Sequence, residues 1–196
     1  KQDFLFESFP LTGQITARQA AVRGGLPMTV PATTINKVCL SGMTAIALGD
    51  KDIRLGEAKF VVAGGMESMS NAPYIAPEAR WGARIGNVEL IDAMNYDGLW
   101  CAFDGCTMGE SSDRKNRALG IGREEQDAWS VESHRRAAAA TESGHFATEI
   151  TPVPVPQRKG DPVVVTVDEG IRTDSTIASL AALRPAFQAD GTITAD

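Results

Sequence analysis

The stretch TTINKVCLSGMTAIALGDKDIRLGEAKFVVAGG, residues 33–65, decides the fold. It begins with β-branched residues, which favour a strand, and it ends in the short apolar run KFVVAGG at 59–65. Its middle carries apolar residues at the spacing of one helix face, namely Leu40, Met43, Ile46 and Ala47. A strand, a helix that stops at Gly56 and a second strand make a βαβ unit. This unit predicts a parallel sheet covered by helices.

Cys39 lies at the join between the predicted strand and the predicted helix, in NKVCLSG at 36–42. The first turn of a helix presents free N–H groups and the positive end of the helix dipole, which favour the thiolate form of a cysteine. A strand-to-helix turn also lies at the end of a parallel sheet, where such sheets bind ligands. Cys39 is therefore a candidate nucleophile. The alternative is a small buried apolar residue at a tight turn.

Composition excludes several classes of function. The 196 residues are 43% hydrophobic and 22% charged, as in ordinary globular proteins, and the formal net charge of −6 argues against a nucleic-acid surface. No apolar run approaches the roughly 20 residues that span a bilayer. Cys39, Cys101 and Cys106 form no C-x-x-C pair, and His134 and His145 lie near no cysteine, so neither a disulfide framework nor a zinc site is indicated. A reducing, cytoplasmic setting is expected.

The remaining sequence predicts further helices and strands. An alanine-rich helix spans 14–23, and a long helix spans Arg123–Glu142, with acidic residues in its first turn. NVELIDAMNYDGL at 87–99 indicates a helix, because Val88, Ile91 and Met94 fall at helical spacing. Two extended segments flank a turn at 159–161, with alternating prolines typical of a sheet edge, and a short helix ends before Pro185.

Two long signatures follow one another in the chain. NKVCLSG at 36–42 fits the pattern N-K-x-C-x-S-G, and VAGGMESMSNAPY at 62–74 is longer still. Together with later segments they resemble the thiolases, and most closely the acetyl-CoA acetyltransferases. The later matches, in the family's order, are DAMNYDGL, MGESSDRKNR, REEQD, SHRRAAAA, ITPVPVPQRKGDP, DEGIR, LRPAF and DGTITA. The resemblance covers residues 13–195, whereas residues 1–12 match poorly.

The resemblance implies an α/β fold, part of a thiolase-like αβα layered core with an inserted mixed α+β loop domain. Residues 1–68 correspond to a partial N-terminal core that carries the nucleophile. Residues 69–190 correspond to the loop domain, which binds coenzyme A, and 191–196 to the return to the core. The family's first strand and helix are expected to be absent or replaced by KQDFLFESFP at 1–10. The C-terminal thiolase half is expected to be absent from these 196 residues.

The resemblance also implies roles for individual residues. Cys39 matches the nucleophile that accepts the acyl group as a thioester, and Met108 matches the active-site methionine beside that group. Thr107 stands where the family often has a histidine, so one pantetheine contact and the acyl chain-length preference stay open. The other matches to coenzyme A contacts are Leu99, Arg172, Ser179, Phe187 and Ala195.

Several of these residues have a plainer interpretation without the resemblance. Arg172 is then a solvated loop charge, and Phe187 is a core residue. Cys101 and Cys106 are expected to be structural residues of the loop domain, and both histidines are expected at the surface.

The family's mechanism needs groups beyond Cys39. The resemblance implies a histidine that activates the nucleophile, a second cysteine that acts as acid and base at the α-carbon, and oxyanion holes. These groups come largely from NEAF, GHP and C-x-G-G motifs, none of which occurs in the sequence. We therefore expect the 196 residues alone to be inactive.

The resemblance implies an acyltransferase that condenses two acetyl-CoA to acetoacetyl-CoA and CoA, or runs the reverse thiolysis, through acetyl-Cys39. The alternatives are a thiolase for longer 3-ketoacyl-CoA substrates, a fragment that only binds coenzyme A or forms a subunit interface, and a ketoacyl synthase, which the NKVCLSG context disfavours. No cofactor is expected, because coenzyme A is itself substrate and product. No metal, nucleic acid or membrane partner is expected either. A homodimer or homotetramer with a role in fatty acid metabolism is expected for the whole protein.

Overall fold

The predicted nucleophile segment belongs to a parallel sheet. A computed structural model of the chain describes residues 2–7 and 14–195. Three strands, β1 (Gln2–Glu7), β2 (Ala32–Ile35) and β3 (Phe60–Ala63), pair in the order β2–β1–β3. Both pairings are parallel, which confirms the prediction from the βαβ pattern.

The expectation that the family's first strand and helix are absent or replaced by KQDFLFESFP stays a prediction, and residues 2–7 of that stretch form β1. It lies between β2 and β3, with Phe4 opposite Ala32 and Leu5 opposite Ala63. A strand inside a parallel sheet has both faces covered and therefore reads as a continuous apolar run. FLF at 4–6 is such a run, and a search for alternation misses it. Residues 8–10 of that stretch lie outside the described residues.

Two helices contact this sheet. Helix α1 (Thr16–Arg23) contacts β1 and β2, and helix α2 (Ser41–Arg54) contacts β1 and β3. Ala17 and Ala21, both on α1, are buried at 0% and 2% exposure. The Ala17 N–H donates to Thr34 Oγ1 over 3.1 Å, which joins the start of α1 to β2.

Helix α2 buries small residues and not the predicted apolar stripe. Ser41, Ala45 and Gly49 are buried, whereas all four members of the stripe within 40–47 are exposed. A Cβ at Gly49 would lie 2.9 Å from Val61 Cγ1, so the glycine lets the helix approach β3 closely. The apolar spacing predicted the helix correctly, and the sheet packs on a different face of that helix.

The helix indicated over 87–99 forms only in the second part of that stretch. The chain first forms the short strand β5 (Ile91–Asp92), which pairs antiparallel with β4 (Tyr74–Ile75), and a π-helix then spans Met94–Leu99. Asp92 Oδ1 accepts the Met94 N–H over 2.9 Å, and this local bond marks the change from strand to helix. The 3₁₀ turns of this region span Met69–Asn71 and Pro77–Trp81.

The rest of the chain confirms three predictions. Its elements are β6 (Trp100–Cys101), β7 (Cys106–Thr107), α3 (Met108–Leu119), α4 (Arg123–Glu142), a 3₁₀ turn (His145–Thr148), β8 (Val153–Val155), β9 (Val163–Val165) and α5 (Ile177–Ala181). Helix α4 has the predicted bounds, and β8 and β9 form an antiparallel pair around the predicted turn. Helix α5 ends before Pro185 as expected.

Contacts divide the chain into two compact units, Lys1–Trp100 and Cys101–Asp196. The domain boundary predicted after residue 68 stays a prediction. In the second unit α4 contacts α5, and Arg123 pairs with the buried Asp127 over 2.7 Å. Arg123 Nη1 also donates to the Leu183 carbonyl over 3.2 Å, which fixes the chain after α5. Within 2–7 and 14–195, no helix combines the length and the apolar character needed to cross a membrane.

Candidate active site

Cys39 lies on the turn between β2 and α2, two residues before the helix begins, and its side chain is exposed. The preceding residue, Val38, has a φ of 50°. This left-handed conformation is rare for a β-branched residue and costs on the order of 1–3 kcal/mol. Such a conformation persists only where surrounding bonds hold it.

Two side chains of the NKVCLSG motif supply those bonds. Ser41 Oγ accepts the Lys37 N–H and donates to the Val38 carbonyl, each over 2.7 Å, and Ser41 is fully buried. Asn36 Oδ1 accepts the Val38 N–H over 2.9 Å. Ser41 and Asn36 thus hold the turn through hydrogen bonds to its main chain, and Cys39 stays exposed. The turn presents a sulfur nucleophile beside the positive end of the α2 dipole.

Met108 is the first residue of α3 and is 42% exposed. The preceding Thr107 caps this helix, because its Oγ1 accepts the Glu110 N–H over 3.4 Å while its own N–H donates to Glu110 Oε2 over 2.8 Å. The Thr107 N–H and the Thr107 hydroxyl both donate to Glu110 Oε2, each over 2.8 Å, and these two bonds, the backbone one foremost, lower the pKa of Glu110. Thr107 therefore holds the helix start that carries Met108.

The Phe187 ring lies against Gly109, the neighbour of Met108. A Cβ at Gly109 would collide with that ring, so only glycine allows this contact. Phe187 remains 45% exposed. The structure therefore brings two predicted contacts for coenzyme A, Met108 and Phe187, to one end of α3.

A buried carboxylate anchors the segment that leads to Ala195. Asp113 is 2% exposed, and its Oδ1 accepts the N–H groups of Thr192 over 2.7 Å and Ile193 over 3.1 Å. Gly191 packs directly on this carboxylate, where a Cβ would collide with it. Ala195 itself is exposed.

Arg172 and His134 meet across a cleft of the second unit. The Arg172 N–H donates to His134 Nδ1 over 3.1 Å. The cleft has a volume of about 430 Å³ and is lined by α4 and by the loop that carries Arg172 and Ser175. His134 is half-buried, and it has a structural contact that its predicted surface position did not include.

Ser179 and Leu99 are the two remaining predicted contacts for coenzyme A. Ser179 Oγ accepts the Thr176 N–H over 2.9 Å at the start of α5, and the residue is exposed. Leu99 ends the π-helix of the first unit and is 40% exposed. Cys39 and Leu99 thus belong to the first unit, and the other predicted residues belong to the second.

The geometry can be compared with known proteins. The family model described as the thiolase N-terminal domain matches residues 8–196. The chain belongs to the thiolase family. The Cys39 turn and helix α2 therefore lie within the matched thiolase domain, and this match begins nearer the N-terminus than the resemblance at 13–195.

Individual relatives agree with this assignment. An acetyl-CoA acetyltransferase of Pseudomonas aeruginosa is 50% identical over 184 residues, which are 94% of this chain and 47% of that protein. A probable acetyl-CoA acyltransferase of Staphylococcus aureus is 48% identical over 183 residues, again 47% of its length. The crystal structure of the Bacillus anthracis acetyl-CoA acetyltransferase superposes with a TM-score of 0.91 at 39% identity, covering 98% of this chain and 49% of that one. The chain thus spans about half the length of the relatives it matches.

Sequence reasoning missed the residues that support the site of this thiolase chain. Asp113 lies in MGESSDRKNR and His134 in SHRRAAAA, so both were inside matched segments without an assigned role. A carboxylate spaced along a helix gives no sign that it accepts two backbone N–H groups from residues about 80 positions later. Such bonds depend on the tertiary arrangement and not on local spacing.

Proposed function

We propose that the protein is an acyl-CoA acyltransferase of the thiolase type, which condenses two acetyl-CoA to acetoacetyl-CoA and CoA or runs the reverse thiolysis. The observation that carries this proposal is the exposed Cys39 thiol on the strained turn at the start of α2. Membership in the thiolase family and the names of the relatives support the reaction class. The reaction needs no cofactor, since coenzyme A is substrate and product.

In the first half-reaction, the Cys39 sulfur attacks the thioester carbonyl of acetyl-CoA. A carbon–sulfur bond forms to Cys39, the bond to the coenzyme A sulfur breaks, and CoA leaves after the proton of the Cys39 thiol has passed to a base. The N-terminus of α2 favours negative charge on the attacking sulfur. The Ser41 bonds hold the turn in place, so little reorganisation is needed at the moment of attack.

In the second half-reaction, a second acetyl-CoA loses an α-proton, and its carbanion attacks the acetyl group on Cys39. A carbon–carbon bond forms, and the Cys39 sulfur leaves. The base for the first step and the acid–base group at the α-carbon are proposed to come from the part of the protein that corresponds to the unmatched half of the relatives.

We propose that residues of the second unit make most of the contacts with coenzyme A. Met108 and Phe187, which packs on the neighbouring Gly109, offer partly exposed apolar surface that suits pantetheine, and Arg172 suits a phosphate or the adenine ring. His134 holds the Arg172 backbone, which keeps this loop in position. Further contacts are proposed for Leu99, Ser179 and Ala195.

Thr107 favours a second candidate, a thiolase that acts on longer 3-ketoacyl-CoA substrates. Its hydroxyl donates to Glu110 Oε2 over 2.8 Å, so it serves the helix cap where the family often has a histidine. The Staphylococcus aureus relatives carry the broader name acyltransferase. Comparing kcat/KM for acetoacetyl-CoA with that for longer 3-ketoacyl-CoA chains distinguishes the two candidates.

The setting of the protein is proposed as well. Three free cysteines suit a reducing cytoplasm, and the exposed apolar side chains of α2 suit a homodimer or homotetramer. A role in fatty acid metabolism follows from the proposed substrates.

Acyl transfer to Cys39 is tested on the full-length protein. After incubation with acetyl-CoA, acid quenching and trypsin digestion, the peptide Val38–Lys51 should gain the mass of an acetyl group. Cys39→Ser should abolish both this adduct and acetoacetyl-CoA cleavage, while Cys101→Ser should keep both. An acetyl group on another peptide, or full cleavage activity in Cys39→Ser, would contradict the proposal.

A further inference from the structure

Cys101 and Cys106 face each other across the shortest hairpin of the second unit. Cys101 ends β6 and Cys106 begins β7, and these two strands pair. Because each strand has two residues and four residues join them, the strands run antiparallel and the inner residues, Cys101 and Cys106, lie opposite each other. Residues in this relation have Cα atoms about 4.5–5.5 Å apart and side chains on the same face.

This geometry suits a disulfide, which spans Cα separations of about 4.4–6.8 Å. Both thiols are free in the structure. Cys106 is 8% exposed and Cys101 is half-buried, so a small oxidant reaches Cys101 more readily. The hairpin therefore carries two free cysteines on paired strands, and Cys101 is the more exposed of the two.

Charged and polar groups surround the two sulfurs. Arg114 Nη2 donates to Cys106 Sγ over 3.0 Å, and Arg114 also pairs with Asp104 over 3.3 Å. The Asp104 N–H donates to Cys101 Sγ over 3.4 Å, and Ser111 Oγ donates to Asp104 Oδ2 over 3.0 Å. A cation beside a cysteine sulfur favours its action as a nucleophile.

We propose that Cys101 and Cys106 form an oxidisable dithiol, which a hydroperoxide converts to an intrachain disulfide. In the first step the Cys101 sulfur attacks the peroxide, the O–O bond breaks, and Cys101 becomes a sulfenic acid while the peroxide is reduced to an alcohol or water. In the second step the Cys106 sulfur, held by Arg114, attacks the Cys101 sulfur. The S–O bond breaks, and the hydroxide takes the Cys106 proton to form water.

The site adjoins the proposed coenzyme A contact, because Cys106 is followed directly by Thr107 and Met108. The disulfide removes the Arg114 bond to sulfur and constrains the hairpin that precedes α3. Any effect on coenzyme A binding rests on the proposed function, but the oxidation itself does not.

Peptide mass spectrometry of the full-length protein tests the proposal without an activity assay. The reduced protein is treated with hydrogen peroxide, blocked with iodoacetamide and digested with trypsin. Both cysteines lie in the peptide Ile85–Arg114, and Cys39 lies in a different one, Val38–Lys51. We expect Ile85–Arg114 to lose two hydrogens, to carry no alkyl group, and to regain both thiols with dithiothreitol. Two alkylated cysteines after oxidation, or a disulfide from either one to another cysteine, would overturn the dithiol.

Serine variants test the order of the steps. With a sulfenic-acid trap present, Cys106→Ser should accumulate the adduct on Cys101, and Cys101→Ser should give severalfold less adduct on Cys106. The reverse pattern would overturn the assigned order.

A matched pair of arginine variants tests the part given to Arg114. Arg114→Gln should slow disulfide formation severalfold, while Arg117→Gln, on the same helix and paired with Asp190, should leave the rate unchanged. Equal rates in both variants would overturn the role of Arg114.

Discussion

Ser41 is the residue on which the Cys39 turn depends most. It is fully buried, and one hydroxyl serves both a backbone N–H and a backbone carbonyl around Val38. The Ser41 hydroxyl thus bonds two main-chain groups beside the left-handed conformation of Val38. The serine of the NKVCLSG motif therefore has a structural reason to be there, separate from the chemistry of Cys39.

We expect Ser41→Ala to lower the free energy of unfolding of the first unit by about 0.5–1.5 kcal/mol, because the Lys37 N–H loses its Ser41 partner and the Val38 carbonyl keeps only the bond from the Ser41 N–H. Urea unfolding followed by circular dichroism measures this change. Thr44→Ala is the matched control on the same helix. Its hydroxyl only bonds back to the Leu40 carbonyl at the surface, so it should cost less than about 0.5 kcal/mol. Equal effects of the two variants would show that the Ser41 bonds do not hold the turn.

At this scale the sequence predicts chemistry better than conformation. The position of Cys39 at the strand–helix join followed from β-branched residues before it and helical spacing after it. The positive φ of Val38 did not, because local propensity disfavours it and only the Asn36 and Ser41 bonds make it tolerable. The contact of Phe187 with Gly109 depends on residues 78 positions apart and has no local signal.

Among the elements, α2 is held to the sheet by shape and not by large side chains. We expect Gly49→Ala to destabilise the first unit although alanine is the better helix former by about 1 kcal/mol, because the new methyl group would lie 2.9 Å from the stiff Val61 side chain. Gly42→Ala, in the same helix with no atom within 4 Å of the added Cβ, should be neutral or stabilising. Thermal unfolding of both variants, and of Gly49→Ala combined with Val61→Ala, measures this. A Gly49→Ala protein as stable as Gly42→Ala would disprove the close packing.

Helix α4 carries a charged cluster that makes its stability depend on pH. Glu132 accepts two bonds from Arg135, over 2.6 and 2.8 Å, and one from Arg136 over 2.6 Å. These bonds, those of Arg135 foremost, lower the pKa of Glu132 from 4.5 to about 2. The unfolded chain therefore binds this proton at higher pH than the folded chain, so the stabilisation is present above pH 4.5 and is lost as the pH falls towards 2.

Carboxyl-carbon NMR should show Glu132 titrating with a midpoint near pH 2, as its pKa of about 2 requires. Arg135→Gln should raise this midpoint more than Arg136→Gln, because Arg135 donates two bonds and Arg136 one. A midpoint near 4.5 in the unmodified protein would show that the cluster does not form in solution.

Element prediction succeeded where residues at the two ends of an element mark its bounds. It failed where the pattern along the element depends on its place in the tertiary structure. The bounds of α4 followed from its acidic first turn and the glycine after its end, signals that lie within the helix itself. Strand β1 lacks alternation because it lies inside a parallel sheet, and α2 is apolar on the side that the first unit leaves exposed.

At the scale of the whole molecule, α2 presents an exposed apolar face. Met43 and Ile46 are 69% and 63% exposed on the side opposite the buried Ser41, Ala45 and Gly49. A helix that is apolar on one side and packed through small residues on the other is typical of a buried helix. The outer face of α2 is therefore an exposed apolar surface of the first unit that suits a protein contact.

Catalysis requires more groups than these residues supply, and we expect the 196-residue polypeptide alone not to cleave acetoacetyl-CoA. Cys39 supplies a nucleophile, but the sequence has no GHP or C-x-G-G motif to supply a base for its thiol and an acid–base group for the α-carbon. Loss of thiolysis in the purified polypeptide, measured by the decay of acetoacetyl-CoA absorbance, should accompany retained alkylation of Cys39 by iodoacetamide, because the turn that exposes the sulfur lies within these residues. The full-length protein is the control. Cleavage by the 196 residues that disappears in Cys39→Ser would mean that they hold their own base, and the division of labour between the two halves would have to be abandoned.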